Sequence, residues 1–498
     1  MESLGLLLNG LAAASTGQNL LFAIGGCFLG TLIGVLPGVG PAAGTAILIP
    51  LTFKLDATAG IIMLCAIYYG AMYGGTITSV LINVPGEAAS VVTCLDGYEM
   101  AKQGRAGTAL GIAAIGSFIG GSIATLALVG VAPFLATLGL KFGPPEFFGL
   151  MLLGLCLVTA LAGRSIVAGV LMAIVGLLLA LVGQDPVRGA PRFTFDIVAL
   201  YDGVGFIPVV MGLFGIGELL TTAERPYRDV LRAKLSGLLP SAAEWRRSIG
   251  AIFRGTGIGL FLGLIPGVGA IVPTFMAYIL EKKISRHPEE FGRGAIEGVA
   301  APETANNAYA NASMIPLLTL GIPSSPTIAI IMGAFIMKGL TPGPFLFTEK
   351  PELVWAVIAS FFVGNVILLV MNLPFVGLWA RLLHIPWQYI CVGTLLFCIV
   401  GCYSLRQNVF DIWIMLGFGI IGYLMRKLDL PAAPLILGLI LGKELEKALR
   451  TSLEMSAGDF SIFFTRWLSL ALLVFSAIII IASALSLAPK EVREATTD

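Results

Sequence analysis

Charge is what this sequence has least of. Of its 498 residues only 12% are Asp, Glu, Lys or Arg, against roughly 25% in ordinary soluble domains, while 57% are hydrophobic. A soluble fold has nowhere to hide that much apolar surface. With a net charge of +1, nothing suggests a polyanionic partner such as nucleic acid, and none is expected. Histidine is confined to His287 and His384, both near prolines in loop-like sequence. The seven cysteines sit mostly inside apolar runs and read as small buried hydrophobes. Cys398 and Cys402 share a helix face, but no His or acid accompanies them at a metal spacing. A Walker lysine, an HExxH and a Ser-His-Asp set are all missing, so neither ATP-driven work nor hydrolysis is expected. The run Gly38–Gly44 imitates a dinucleotide loop, yet it follows an apolar helix and lacks the later ribose-binding acid. Met1-Glu2-Ser3 carries no basic region, which argues against a cleaved signal peptide.

Long apolar runs are what the chain has in quantity. Clear cases are 109–140, 147–162, 166–182, 354–370, 412–424 and 467–485. With shorter and broken spans included, about ten to twelve membrane crossings are expected, each needing about 20 apolar residues. The fold class is therefore an all-α polytopic membrane protein.

The chain also repeats itself. Residues 26–40 read GCFLGTLIGVLPGVG and residues 255–269 read GTGIGLFLGLIPGVG, with Gly26/Gly255, Gly30/Gly259, Gly34/Gly263 and the whole Pro-Gly-Val-Gly break matching at an offset of 229. A glycine every fourth residue makes a stripe without side chains, along which another helix can approach closely. Farther on, Pro85 aligns with Pro323, the segment 207–212 resembles 433–438, and each of these is followed by a Glu-Leu pair, Glu218-Leu219 and Glu444-Leu445. The expected organisation is a first membrane repeat over 1–225, a basic cytoplasmic connecting loop over 226–249, a second repeat over 250–485 and a polar tail over 486–498. Arg225, Arg228, Arg232, Lys234, Arg246 and Arg247 place the connector in the cytoplasm. The basic stretch 282–293 has only Lys54 as its counterpart in the first half, an asymmetry that points to repeats of opposite orientation.

Proline with adjacent glycines frees backbone groups that lipid cannot satisfy, so such a break must face protein or a water-filled cavity. Equivalent breaks in two halves mark a transporter's binding site; packing kinks are the plainer alternative. The expected contacts of the first half are Pro37, Gly38 and Gly40, then Thr76, Thr78 and Ser79, then Asn83, Pro85 and Gly86. Those of the second are Pro266, Gly267 and Gly269, then Glu303, Asn306 and Asn307, then Thr319, Gly321, Pro323, Ser324 and Ser325. Glycines let backbone approach a solute, and the hydroxyls and amides supply donors and acceptors. Glu303 stands out as an intramembrane carboxylate, with helix capping as its other reading. No Lys or Arg lies within 34–53, 68–90 or 300–333. An anionic solute would have to be met by helix N-termini, polar donors and a co-bound cation.

The runs GVLPGVGPAAGTAILIPLTF, YYGAMYGGTITSVLINVPGEAASVVTCLDGYEMAKQGRAG and GLIPGVGAIVPTFMAYILEKKISRHPEEFGRGAIEGVAAPETANNAYANASMIPLLTLGIPSSPTIAIIMGA resemble the large membrane subunit of tripartite tricarboxylate transporters, the TctA type. The resemblance covers nearly the whole chain, most sharply 25–125 and 255–345. It implies cation-coupled secondary uptake of di- or tricarboxylates across a bacterial inner membrane, driven by sodium or protons, with no cofactor and no metal beyond a transported sodium. It also implies two partners, a small membrane subunit of the TctB type and a periplasmic solute-binding protein of the TctC type. Glu87 departs from the family's pattern, where a small residue such as Thr is expected, and is read here as loop. A passive anion channel and a transporter of another small polar solute are the alternatives.

Overall fold

The computed structural model describes residues 2–36, 39–161, 165–185, 189–224, 237–383 and 385–486. Within them the chain is helical apart from loops and one two-residue antiparallel ribbon, Gly183–Gln184 with Pro191–Arg192. Nine helices among the described residues are long and apolar enough to cross a membrane. Ala242–Gly263 and Ala432–Met455 also have the length but carry several charged side chains. The protein is thus an all-α polytopic membrane protein. The site depends on ten helices: α1 (Gly17–Val35), α2 (Pro41–Leu48), α3 (Ala57–Ile82), α4 (Val91–Lys102), α5 (Ala106–Gly139), α6 (Ala242–Gly263), α7 (Ile271–Ile284), α8 (Glu297–Ala312), α9 (Met314–Leu320) and α10 (Pro326–Met337).

Both glycine stripes pack backbone to backbone. A Cβ on Gly26 would lie 2.6 Å from the Met63 carbonyl oxygen, and at Gly30 and Gly34 it would strike the carbonyls of Ile67 and Ala71. In the second half Cβ atoms at Gly255 and Gly259 would strike the carbonyls of Ala301 and Ala305, and one at Gly263 would come within 3.0 Å of that of Tyr309. Glycines and carbonyls advance together by four residues, so α1 runs parallel to α3, and α6 parallel to α8. The carbonyl partners correspond at an offset of 238, the offset of Pro85 and Pro323.

Parallel neighbours joined by a short helix require a hairpin. Gln18 at the start of α1 donates to Asp56, the N-cap of α3, at 3.1 Å, so α2 returns the chain to the end where α1 began. In the second half Arg247 near the start of α6 pairs with Glu297 at the start of α8, at 2.8 Å, and α7 is the returning arm. The hairpins open toward opposite ends of the molecule. Lys338, just past α10, donates to the carbonyls of Thr52, Phe53 and Leu55 beside the start of α3. At the other end Asp96 of α4 accepts 2.8 Å bonds from the amides of Gly292, Gly294 and Ala295, just before α8. The two halves are therefore inverted in the structure.

Two local expectations need correction. Residues 242–249 are not loop but the first turns of α6, started by a capping box in which Ser241 Oγ and the Glu244 carboxylate each accept the other's backbone N–H. Arg225, Arg228, Arg232 and Lys234 lie outside the described residues. The second breaks are also narrower than the polar stretches suggested. Thr76–Ser79 belongs to an unbroken α3, and 301–307 to an unbroken α8 that carries Pro302 inside it. The chain breaks after them, at Asn83 (φ 54°) and Gly321 (φ 71°), equivalent positions that both take the left-handed conformation.

Gly259 and Gly257 make a test pair on one helix. Gly259→Ala is expected to lower thermal stability by about 1–3 kcal/mol, because its Cβ must force α6 from α8. Gly257→Ala meets nothing within 4 Å and should raise it by up to about 1 kcal/mol through helix propensity. Thermal unfolding of the two variants in detergent checks the opposite signs.

Candidate functional site

The four breaks converge on one cavity of about 760 Å³. Gly40–Ala43, Pro85–Ala89, Gly267–Val272 and Ser324–Thr327 line it, and each stretch is where a helical segment begins. The cavity thus receives the N-termini of α2, of the short 3₁₀ turn Ala88–Ser90 that runs into α4, of α7 and of α10. Pro41 and Pro326 sit at the first helical position, where proline's missing N–H costs nothing. The ends differ in how they are capped. Glu87 and Ser325 cap their own helices with their side chains. At the hairpin tips, Gly40 and Ala270 supply no side-chain cap. First-turn amides of α2 and α7 are therefore open to a ligand. No Lys or Arg is among the described residues that line the cavity. The facing wall, from Val158, Leu161, Phe214 and Ala433, is apolar except for Glu218, which pairs with Arg426 at 2.7 Å.

Behind the tips stands a buried polar wall built on α8. Glu303 is 1% exposed. Its carboxylate accepts from the Thr76 hydroxyl of α3 at 2.6 Å and from the Thr93 hydroxyl of α4. One turn on, Asn306 donates from Nδ2 to the Glu87 carboxylate at 2.6 Å. Asn307, on a neighbouring face, donates to Ser117 Oγ of α5 at 2.7 Å, and Asn311 continues that seam by donating to the Gly121 carbonyl at 2.9 Å. So α8 carries two polar lines: one faces the first half's break, the other locks α8 to α5.

Most of the residues expected from sequence gather here, in different roles. Gly40, Pro85, Gly86, Gly267, Gly269, Ser324 and Ser325 line the cavity. Thr78 and Ser79 support it from behind, with both hydroxyls on the Gly75 carbonyl and Ser79 shared with that of Ser90. Asn83, Gly321 and Pro323 shape the breaks, while Pro266 leads into a tip. Thr319 is turned onto its own helix, bonding the Ile315 carbonyl. Pro37 and Gly38 lie outside the described residues. Glu303 does not cap a helix; it lies within the second turn of α8 and takes hydroxyl donors from two other helices. Glu87 is not a solvated loop residue. It is 7% exposed and faces the cavity. The signal that could have found it was the 238 offset, which pairs it with Ser325. Thr93 and Glu218 were also missed; Glu218 stood in a noted Glu-Leu pair whose distance from the breaks in sequence hid its position.

Comparison with known proteins gives a consistent answer. The family model described as the tripartite tricarboxylate transporter TctA family matches residues 20–437. An uncharacterized 52.8 kDa protein of Agrobacterium vitis, from the 3′ region of ttuC′ in TAR-I, is 45% identical over 474 residues, covering 95% of this chain and 94% of its own. A second uncharacterized protein of that organism, from the 3′ region of ttuC′ in TAR-II, is 45% identical over 227 residues, 46% of this chain and 94% of its own. No solved structure matches.

The hydroxyls on Glu303 can be tested apart from any transport assay. Thr76→Val and Thr93→Val each leave a buried carboxylate oxygen without its donor, and each should cost about 1–3 kcal/mol. Thr304→Val removes only a bond to the helix's own Ala300 carbonyl, which leaves no charged group without a donor, and should cost less than either, at most about 1 kcal/mol. Melting curves of the three variants in detergent decide.

Proposed function

The chain belongs to the tripartite tricarboxylate transporter TctA family, a family of transporters and not of enzymes, and from that premise we propose that it is the large transmembrane subunit of a cation-coupled, secondary importer of di- and tricarboxylates. The observation that carries the reading is the convergence of four helix N-termini on a cavity with no basic residue among the described residues that line it. Each such end presents roughly +0.5 of a charge together with free N–H donors. The uncapped ends at Gly40 and Ala270 face one cavity from the two inverted halves, so a solute with two or more carboxylates can be held at both tips at once. The volume falls within the usual range for small-molecule sites, about 300–1,000 Å³.

Transport would proceed by alternating access. The four tips move as a unit against the apolar wall of Val158, Leu161, Phe214 and Ala433, a surface with few polar bonds to break. Arg105, Arg247, Lys282, Lys283 and Arg293 cluster at the end where α8 begins. By the positive-inside rule that end is cytoplasmic, which fits a bacterial inner membrane protein. A small membrane subunit of the TctB type and a periplasmic solute-binding protein of the TctC type follow from the family.

Uptake of labelled carboxylates into proteoliposomes tests the reading, with imposed sodium or pH gradients and with the binding protein present or withheld. Accumulation that saturates, follows one of the gradients and depends on the binding protein is expected. Non-saturating flux indifferent to both gradients would overturn it in favour of a passive channel.

A further inference from the structure

A carboxylate on the wall of a cavity meant for an anion is a contradiction unless something neutralises it. Glu87 is that carboxylate, and among the described residues it has no ion-pair partner. Its capping role does not require a charge. The equivalent helix end in the other half is capped by the hydroxyl of Ser325, which accepts from the Ile328 amide at 3.3 Å. The negative charge at position 87 is therefore surplus to the fold. A second observation stands beside it. Asn306 is 1% exposed, its Nδ2 is committed to the Glu87 carboxylate at 2.6 Å, and its Oδ1 has no hydrogen-bond partner among the described residues. A buried amide oxygen left unmatched costs free energy unless a donor or a cation meets it. Since Nδ2 and Oδ1 are two arms of one amide, that orphan oxygen lies next to the carboxylate.

We infer that Glu87 and Asn306 form the binding site of the co-transported cation, a hard monovalent ion such as sodium, held by the carboxylate, the orphan amide oxygen and solvent or substrate oxygens from the cavity. The inference rests on the importer reading and deepens it. Of the two carboxylates here without an ion pair among the described residues, Glu303 stands behind the wall on two hydroxyls and only Glu87 lines the cavity, so the wall itself calls for one positive charge. No cluster of three or more His, Cys, Asp or Glu among the described residues offers a divalent ion its cage. The position supplies a coupling mechanism. With the ion absent, Glu87 repels an entering carboxylate; with the ion bound, the wall is neutral or positive and the four helix ends act unopposed. Cation binding thus precedes anion binding, and neither travels efficiently alone.

Ion binding can be read without transport, from thermal unfolding of the full chain in detergent, with sodium, potassium or choline chloride at constant ionic strength. Sodium is expected to raise the melting midpoint saturably over potassium and choline. Glu87→Ser keeps a capping group of the kind found at Ser325, so the variant should fold, and it should raise the half-saturating sodium concentration at least about tenfold, as loss of a direct charge contact demands. Asn306→Ala should shift it the same way, whereas Asn306→Asp retains an oxygen there and should keep the response. Equal midpoints in sodium and choline for the native chain, or an unchanged sodium response in Glu87→Ser, would overturn the inference. Carboxylate uptake that follows a pH gradient and ignores sodium would also overturn it, and would leave the importer reading standing. A sodium shift that depends on Glu87 would keep the cation site even if no gradient drove uptake in proteoliposomes.

Discussion

Two pairs of parallel helices touch backbone to backbone, and the position of everything else follows from that contact. Gly26, Gly30 and Gly34 seat α1 on the carbonyls of α3, and Gly255, Gly259 and Gly263 seat α6 on those of α8. Inside a membrane no hydrophobic effect drives helices together, so close van der Waals approach has to supply much of the attraction, and only a face without side chains permits it. Because the contact is parallel, the chain must return between the two helices. The returning arm makes a hairpin, and the hairpin's tip has to point into the protein.

From the tips follows the electrostatics. A returning helix begins at the tip, so its N-terminus faces the interior; the breaks after α3 and α9 each start another helix at the same depth. Inversion of the halves brings all four starts to one cavity. Among the described residues that line the cavity none is Lys or Arg, so the positive end-charges there belong to main-chain dipoles, and they remain through any movement that keeps the helices intact. Carboxylates are then the charged side chains that need explaining. Glu218 has Arg426, Glu303 has two hydroxyls, and Glu87 has one amide and, among the described residues, no ion-pair partner.

Much of this was legible in the residues. Apolar runs declare the medium, and Pro-Gly breaks declare where the backbone must be met by something other than lipid. The 229 offset declared two related halves, and the absence of Lys and Arg around the breaks stated the charge problem. Less legible was the extent of each break. Thr, Ser and Asn in 76–79 and 301–307 read as irregular backbone, yet they are helical: Thr76, Asn306 and Asn307 find partners on other segments, while Thr78, Ser79 and Thr304 place their hydroxyls on carbonyls of their own helix, and neither arrangement opens the ladder. Glu87 was passed over because sequence offers no measure of burial for a polar residue after Pro-Gly.

The sequence alone therefore determined that this is a many-spanning helical membrane protein, duplicated, with glycine stripes and paired breaks free of basic residues. Each of those is a property of neighbouring residues: a missing Cβ, a missing N–H, a run of apolar side chains. Tertiary structure alone decided which polar atoms meet. Glu303 finds its hydroxyls 227 and 210 residues away, and Asn306 finds Glu87 across 219. Such pairings depend on how two inverted halves interlock, a geometry that no local run of residues encodes.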